Sequence, residues 1–286
     1  MIIHKLSPQG FCWGVRQAIQ KVEQALMDPA YPKPIYLLGS IIHNKTVTDH
    51  LVQMGAILIE ENRTRLSMLD RISTGTVVFS AHGVAPSVYE KAKQKGLTIL
   101  DTTCGNVLIV HRRIKQHLEA GYRCYYIGTK NHPECEGILE SSSLIRLIET
   151  KEDVEHLPFT EEAIYITNQT TLSLLDTEMI YRTFKEKFPQ AIIDNKICLA
   201  TTQRQQAVLD QKKADLCLVV GDKISSNTKK LWQLAQQKGI RSVLIEQIED
   251  LAAIDFTAVQ QINITSGAST PSVLVDQVIN HLQNIK

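Results

Sequence analysis

The chain has 286 residues, a formal net charge of +1 and 43% hydrophobic residues, enough for a substantial buried core in one to three structural units. Lysine and arginine nearly balance aspartate and glutamate, and no strongly basic block stands out, so neither a nucleic acid nor an anionic membrane is indicated as a partner. No run approaches the roughly 20 apolar residues of a membrane span, and the N-terminus lacks the apolar stretch of a signal peptide, so we expect a cytoplasmic protein.

Short apolar runs alternate with amphipathic segments along the whole chain. In chain order, the strand-like runs include residues 34–39, 76–80, 123–128, 163–167, 215–221, 241–246 and 262–270. The helical patterns include residues 107–120, 172–188, 226–238 and 271–282. Apolar strands that alternate with helices predict an α/β fold with mostly parallel sheets.

The six cysteines divide into two groups by their surroundings. They are Cys12, Cys104, Cys124, Cys135, Cys198 and Cys217. No Cys-x-x-Cys pair is present, which argues against a zinc ribbon, a thioredoxin-type site and a ferredoxin-type cluster loop. Cys124 and Cys217 lie inside apolar strand runs, so we expect both to be buried.

Cys12, Cys104 and Cys198 lie 92 and 94 residues apart, each between an extended stretch and a helical pattern. This weak threefold repeat predicts three similar α/β units, at residues 14–103, 104–197 and 198–286, the last completed by residues 1–13. A helix N-terminus favours the thiolate form of cysteine. Three such thiolates suit an iron–sulfur cubane that keeps one iron without a protein ligand.

Polar residues follow six of the predicted strands, at the sheet edge where parallel sheets bind ligands. They include Ser40, His43, Asn44, His82, Lys130, His132, Glu134, Gln169, Thr170, Asp222, Ser225, Ser226, Asn227, Ser269 and Thr270. Any one of these clusters alone could serve only as a helix cap. Together they predict a site for a phosphate or diphosphate, held by helix N-termini, hydroxyls, amides and histidines. Without a Walker loop or Gly-x-Gly-x-x-Gly, a nucleoside triphosphate or a dinucleotide is not favoured.

Nine short motifs occur in order between residues 10 and 269. They are Gly10-Phe11-Cys12-x-Gly14-Val15, His43-Asn44, Ser80-Ala81-His82-Gly83-Val84, Asp101-x-Thr103-Cys104, His132-Pro133-Glu134-x-Glu136-Gly137, Gln169-Thr170-Thr171-Leu172-Ser173, Ile197-Cys198-x-Ala200-Thr201-Thr202, Ser225-Ser226-Asn227 and Gly267-Ala268-Ser269. This set resembles the 4-hydroxy-3-methylbut-2-enyl diphosphate reductase family over roughly residues 10–280.

The resemblance implies the last step of the non-mevalonate route to isoprenoids, a reductive dehydroxylation that yields isopentenyl and dimethylallyl diphosphates. It implies a pseudo-threefold trefoil of α/β units around a [4Fe-4S] cluster on Cys12, Cys104 and Cys198. Glu134 would be the proton donor, and Thr170 would contact the substrate hydroxyl. The residues implied to hold the diphosphate are His43, His82, His132, Ser225, Ser226, Asn227 and Ser269. Electrons would come from an external carrier of the ferredoxin or flavodoxin type.

The sequence departs from the family pattern in four places. Gly105 and Asn106 replace a proline and an apolar residue, Trp13 replaces a small residue, residues 128–131 replace a Gly-His-x-Gly run, and Cys135 replaces a valine. None of these changes removes an implied ligand. A fourth thiolate would close the open iron, so we expect Cys135 to be a buried filler in an apolar pocket.

Two alternatives stay open at this point. A hydro-lyase could use an open-iron cluster to remove water without net electron transfer. An iron–sulfur regulator or RNA-binding module could keep the fold without the chemistry, although the basic, aromatic-rich surface expected of such a protein is absent from the sequence.

Overall fold

The structure is a computed structural model that describes residues 1–59 and 64–284. Its strands are β1 (Ile2–Lys5), β2 (Ile35–Leu38), β3 (Ala56–Ile59), β4 (Thr76–Phe79), β5 (Thr98–Asp101), β6 (Arg123–Ile127), β7 (Ile145–Ile148), β8 (Ile164–Asn168), β9 (Ile192–Asp194), β10 (Leu216–Val220), β11 (Ser242–Ile245) and β12 (Gln261–Ser266). Its α-helices are α1 (Trp13–Met27), α2 (Lys45–Gln53), α3 (Arg65–Met68), α4 (Pro86–Gln94), α5 (Gly105–Glu119), α6 (Pro133–Leu139), α7 (Lys151–Glu155), α8 (Leu174–Lys187), α9 (Leu199–Leu209), α10 (Ser226–Gln237) and α11 (Ser272–Gln283). Short 3₁₀-helices cover Leu69–Arg71 and Ile248–Ala253.

The described strands form three sheets of four, and all three sheets have the same internal order. The orders are β3-β2-β4-β5, β7-β6-β8-β9 and β11-β10-β12-β1. Every strand pair within the sheets is parallel. The predicted α/β class with three similar, parallel-sheet units is therefore confirmed.

The predicted ligand cysteines occupy equivalent positions in this repeated order. One edge strand of each sheet is the strand that stands last in these orders: β5, β9 or β1. After each of these edge strands the chain runs through a short loop to one cysteine. Cys104, Cys198 and Cys12 directly precede α5, α9 and α1. The sequence spacing of the three cysteines thus reflects a repeated strand–loop–helix connection.

Helices cover both faces of the sheet that contains β10. Leu216, Leu218 and Val220 alternate with Cys217 and Val219 along β10, as expected for side chains that point to opposite faces. The first three pack with the apolar face of α11, and the other two pack with residues of α9 and α10. Because both faces are buried, β10 is apolar throughout, which is typical of a central parallel strand.

The two faces of β6 are buried in the same way. Tyr125 and Ile127 pack with apolar residues of α7 and α8, whereas Cys124 and Tyr126 pack with residues of α5 and α6. The second face is the one that bears on the candidate site, since α6 also carries Glu134. Cys135 lies in this apolar cluster as well.

The chain separates into two compact units. The smaller unit comprises Met1–Val15, His43–Lys45 and Cys198–Lys286, and the larger unit comprises Arg16–Ile42 and Thr46–Ile197. The division into residues 14–103, 104–197 and 198–286 with 1–13 stays a prediction; residues 60–63 and 285–286 of those ranges lie outside the described residues. Within the described ranges, no helix is both long enough and apolar enough to cross a bilayer.

Candidate active site

In the larger unit, Glu134 is a carboxylic acid buried at the start of α6, and only 1% of it is exposed. Thr170 donates to both of its oxygens: the backbone N–H lies 2.9 Å from Oε1, and the hydroxyl lies 3.0 Å from Oε2. The Tyr126 hydroxyl donates to Oε1 at 3.2 Å. The sheet creates this arrangement, because β6 and β8 are neighbours and Glu134 and Thr170 lie just beyond their carboxyl ends.

Burial raises the pKa of Glu134 to about 7. The three hydrogen bonds from Thr170 and Tyr126 act in the opposite direction, because they stabilise the charged carboxylate. Burial is the larger effect. Glu134 therefore holds a proton to near neutral pH, which is the property required of a general acid.

His132 is the N-cap of α6, and its side chain is oriented by that role. Its Nδ1 accepts a hydrogen bond from the Glu134 backbone N–H at 3.2 Å. In the neutral ring, an accepting Nδ1 leaves the proton on Nε2. The ring of His82 packs edge-on against that of His132, with centroids 5.6 Å apart. Two predicted phosphate-binding histidines are therefore neighbours in the larger unit.

Cys104 is tied to the loop that carries His82. Its backbone N–H donates to the carbonyl oxygen of Ala81 at 3.0 Å. Gly83 follows His82 with φ at +79°, a conformation that strongly favours glycine, and a Cβ there would also meet side chains of Thr103 and α5 at about 3.4 Å. The Ala81–His82–Gly83 turn is therefore held against the start of α5, where Cys104 lies.

In the smaller unit, Ser225, Ser269 and His43 lie together. Ser225 is the N-cap of α10. The Ser269 hydroxyl donates to the His43 carbonyl oxygen at 3.1 Å and lies 3.4 Å from the Ser225 hydroxyl. The Asn44 side chain completes the contact by donating to the Ser269 carbonyl oxygen at 2.8 Å. These bonds join the ends of β10 and β12 to residues 43–45.

Asn227 is the least satisfied polar side chain of this group. It is 3% exposed, and neither its amide nitrogen nor its carbonyl oxygen has a hydrogen-bond partner among the described residues. Leaving a buried polar group unpaired costs roughly 1–3 kcal/mol. Such a group in the first turn of α10, next to half-buried Ser226, is typical of a side chain that binds a polar ligand.

The cysteines differ in exposure as the sequence predicted. Cys124, Cys135 and Cys217 are fully buried, and burial raises the pKa of each thiol, to about 11, 12 and 12 respectively. At neutral pH these three are thiols rather than thiolates, so they are poor metal ligands. Cys12, Cys104 and Cys198 form no disulfide within the described part of the chain and are half-buried at helix starts. As donors, these three fit a thiolate-bound cluster.

The sulfur atoms of Cys12 and Cys198 have hydrogen-bonding neighbours from the helices that follow them. The Val15 backbone N–H donates to the Cys12 Sγ at 3.5 Å. The Cys198 Sγ lies 3.1 Å from the Thr201 hydroxyl. Donors of this kind stabilise a negatively charged sulfur. The Cys12 backbone N–H donates to the Ala268 carbonyl oxygen at 2.9 Å, which fixes the Cys12 loop.

The family model described as LytB protein matches residues 3–283 of the chain. The chain belongs to the LytB family. It is 41% identical over 286 residues to 4-hydroxy-3-methylbut-2-enyl diphosphate reductase of Halalkalibacterium halodurans, covering 99% of this chain and 91% of that one. It is 43% identical over 286 residues to the reductase of the same name from Listeria monocytogenes, covering 99% and 86%.

Solved structures of two LytB relatives share the fold. The E-1-hydroxy-2-methyl-but-2-enyl-4-diphosphate reductase from Plasmodium falciparum has a TM-score of 0.92 and 35% identity, with 99% of this chain and 88% of that chain covered. A second structure, of (E)-4-hydroxy-3-methyl-but-2-enyl diphosphate reductase, described as the terminal enzyme of the non-mevalonate pathway, has a TM-score of 0.68 and 29% identity, with both chains fully covered.

Two buried residues of this LytB protein, Tyr126 and Arg204, have no recognisable signal in the sequence. Tyr126 lies inside an apolar strand run, where nothing distinguishes it from a core residue, although a buried tyrosine hydroxyl usually has a partner, here Glu134. Arg204 stands in the polar run 202–206 and resembles a solvent-facing arginine, yet it is only 3% exposed. The charge pattern of α9 offers no signal that would have distinguished it.

Proposed function

We propose that this chain reduces (E)-4-hydroxy-3-methylbut-2-enyl diphosphate to isopentenyl and dimethylallyl diphosphates. Two electrons and two protons enter, the carbon–oxygen bond to the allylic hydroxyl breaks, and that oxygen leaves as water. Membership of the LytB family supports the reaction. Its relatives carry the corresponding reductase name. The observation that carries the proposal is Glu134, a buried carboxylic acid with a pKa raised to about 7.

Glu134 supplies a proton to the departing hydroxyl group. Hydroxide is a poor leaving group, so its protonation in the transition state lowers the barrier. A positioned acid typically raises the rate by roughly 10²–10⁴-fold. Thr170 and Tyr126 hold the carboxyl group in one orientation through three hydrogen bonds. The Thr170 hydroxyl also contacts the substrate hydroxyl, beside the Glu134 carboxyl that delivers the proton.

The diphosphate is bound by neutral donors and by histidines. In the smaller unit the donors are Ser225, Ser226, Asn227 and Ser269, with His43 beside them. The unpartnered, buried amide of Asn227 supports this assignment, because a phosphate oxygen would accept from its Nδ2. In the larger unit we assign His82 and His132 to the same substrate, with His132 donating from Nε2.

We further propose that a [4Fe-4S] cluster is held by Cys12, Cys104 and Cys198, the three half-buried thiols. When bound, the cluster supplies the electrons and Lewis acidity toward the substrate oxygen. A small external carrier of the ferredoxin or flavodoxin type delivers the electrons. We place the protein in the cytoplasm, where cysteines that form no disulfide are usual.

The proposal is tested by anaerobic purification followed by iron and sulfide analysis and by assay of the diphosphate with a chemical reductant. The parent protein should contain about four irons and four sulfides and should form both products only when reductant is present. Water loss without reductant would instead indicate the hydro-lyase. Cys12→Ser, Cys104→Ser and Cys198→Ser should each lose most iron and nearly all turnover.

Cys217→Val is the matched control, because this thiol is fully buried in β10. It should keep the iron content and turnover of the parent. Full iron and full turnover in any one of the three serine variants would remove that cysteine from the ligand set.

A further inference from the structure

Arg204 is a buried arginine of α9 that connects two segments of the smaller unit. Its Nη2 donates to the Gly10 carbonyl oxygen at 2.7 Å, and its Nη1 donates to the Ala200 carbonyl oxygen at 3.0 Å. Gly10 lies two residues before Cys12, and Ala200 lies two residues after Cys198. One guanidinium group therefore holds the chain on either side of two of the proposed ligands.

In the part of the chain that the structure describes, the charge of Arg204 is not balanced by an acidic residue. Among residues 1–59 and 64–284, no carboxylate forms an ion pair with it, and its buried Nε has no hydrogen-bond partner. Burying a cation without a compensating negative charge is costly. Burial lowers the pKa of the guanidinium. Coulombic attraction to the Cys12 and Cys198 side chains acts in the opposite direction.

We infer that Arg204 is a positioning residue and the buried counter-charge for the proposed cluster, an inference that rests on the proposed function. A cubane with thiolate ligands is anionic, and reduction adds a further negative charge. In a low-dielectric environment a nearby cation stabilises the more negative state. Net charge is among the factors that set the potentials of such clusters. Arg204 therefore makes the cluster easier to reduce.

The experiment compares the reduction potential of the reconstituted cluster in the parent, Arg204→Gln, Arg204→Lys and Arg241→Gln, measured by redox titration followed spectroscopically. Arg204→Gln should have a more negative potential than the parent. Arg204→Lys keeps the charge and should have the potential of the parent. Arg241 is exposed and donates to the Asp255 carbonyl oxygen, so Arg241→Gln removes the same charge in contact with water and should leave the potential unchanged.

A purely structural role for Arg204 would give a different pattern. Neither lysine nor glutamine reproduces the two-point contact to Gly10 and Ala200, so both variants should lower the midpoint of thermal unfolding of the metal-free protein. Two results would refute the role of Arg204 as a counter-charge. One is an equal change of the reduction potential in Arg204→Gln and Arg204→Lys, and the other is the parent potential in Arg204→Gln. If Arg204→Gln fails to fold, Arg204→Lys still tests the inference, because a more negative potential in this charge-keeping variant overturns it.

The two proposals fail in distinguishable ways. A parent protein that binds no iron and sulfide after anaerobic reconstitution would contradict the proposed function. A parent protein with a full cluster, together with an unchanged potential in Arg204→Gln, would contradict only the role of Arg204.

Discussion

Thr170 contacts both carboxyl oxygens of Glu134, although 36 residues separate the two in the chain. Thr170 donates its backbone N–H to Oε1 and its hydroxyl to Oε2, so a single residue fixes the plane of the carboxyl group. Both residues follow neighbouring strands, β6 and β8, and are therefore positioned by the same sheet. A group that transfers a proton benefits from such fixed orientation.

Glu134→Gln should cut turnover by roughly 10²–10⁴-fold while the substrate still binds, because glutamine keeps the size of the side chain but cannot donate the acid proton. In the parent, turnover should fall as the pH rises above about 7, since the raised pKa keeps Glu134 protonated below that pH. Steady-state kinetics across pH measures both effects. Glu140→Gln is the control, because Glu140 is an exposed acid at the C-terminal end of the same helix. Near-normal turnover of Glu134→Gln would assign the proton to another group.

Tyr126→Phe should move the alkaline fall in turnover to higher pH. The Tyr126 hydroxyl donates to Oε1 of Glu134 and lowers its pKa, so removing the hydroxyl lets burial raise that pKa further. A hydrogen bond to a charged group contributes about 1.5–3 kcal/mol, and one pH unit corresponds to about 1.4 kcal/mol. At 3.2 Å this bond is long, so we expect a change of about one pH unit. A shift to lower pH would contradict the hydrogen-bond assignment.

Asn227→Ala should weaken binding of the diphosphate substrate by about 10- to 150-fold, the equivalent of one hydrogen bond to a charged group. The loss should be confined to the diphosphate: affinity for the dephosphorylated alcohol should not change. Calorimetry with both compounds provides the comparison. Asn284→Ala serves as the control, since Asn284 is exposed at the end of α11 and bonds within its own helix. If the variant kept the full preference for the diphosphate, Asn227 would not be a phosphate ligand.

Cys135→Val should leave iron content and turnover within a few-fold of the parent. Cys135 is fully buried among Val110, Ile114 and Ile138, and burial raises its pKa to about 12, so it behaves as a small apolar side chain. Iron analysis and a turnover assay on the anaerobically purified variant test this expectation. Loss of the cluster, or a large gain in turnover, would show that Cys135 interacts with the metal.

The sequence predicted the buried strands better than the strands at the sheet edges. The predicted runs overlap every central strand, and these strands are buried along almost their whole length. The runs do not include β1, β3, β5, β7 and β9, which are all edge strands of three or four residues with partly exposed side chains. An edge strand of this length offers too few apolar positions to be distinguished from a loop.

At the candidate site, the sequence identified residues that lie just beyond strand ends, because topology alone places them at one edge of a sheet. It could not identify Tyr126 or Arg204, whose roles depend on burial. Tyr126 belongs to a continuous apolar strand, and only the structure shows its hydroxyl beside Glu134. Arg204 lies in a polar helical run, and only the structure shows that it is buried.

The edge strand β1 has a consequence for how the protein forms during synthesis. Ile2 pairs with Gln261 and Lys5 with Ile264, so β1 finds its partner only after the intervening residues 6–260 have been synthesised. The sheets of β2–β5 and β6–β9 are each built from consecutive strands and can form earlier. Until β12 emerges, the Cys12 loop has no Ala268 carbonyl to bind. Assembly of the proposed cluster is therefore expected only after β12 has been synthesised, and a nascent chain stalled before β12 should be unable to retain iron.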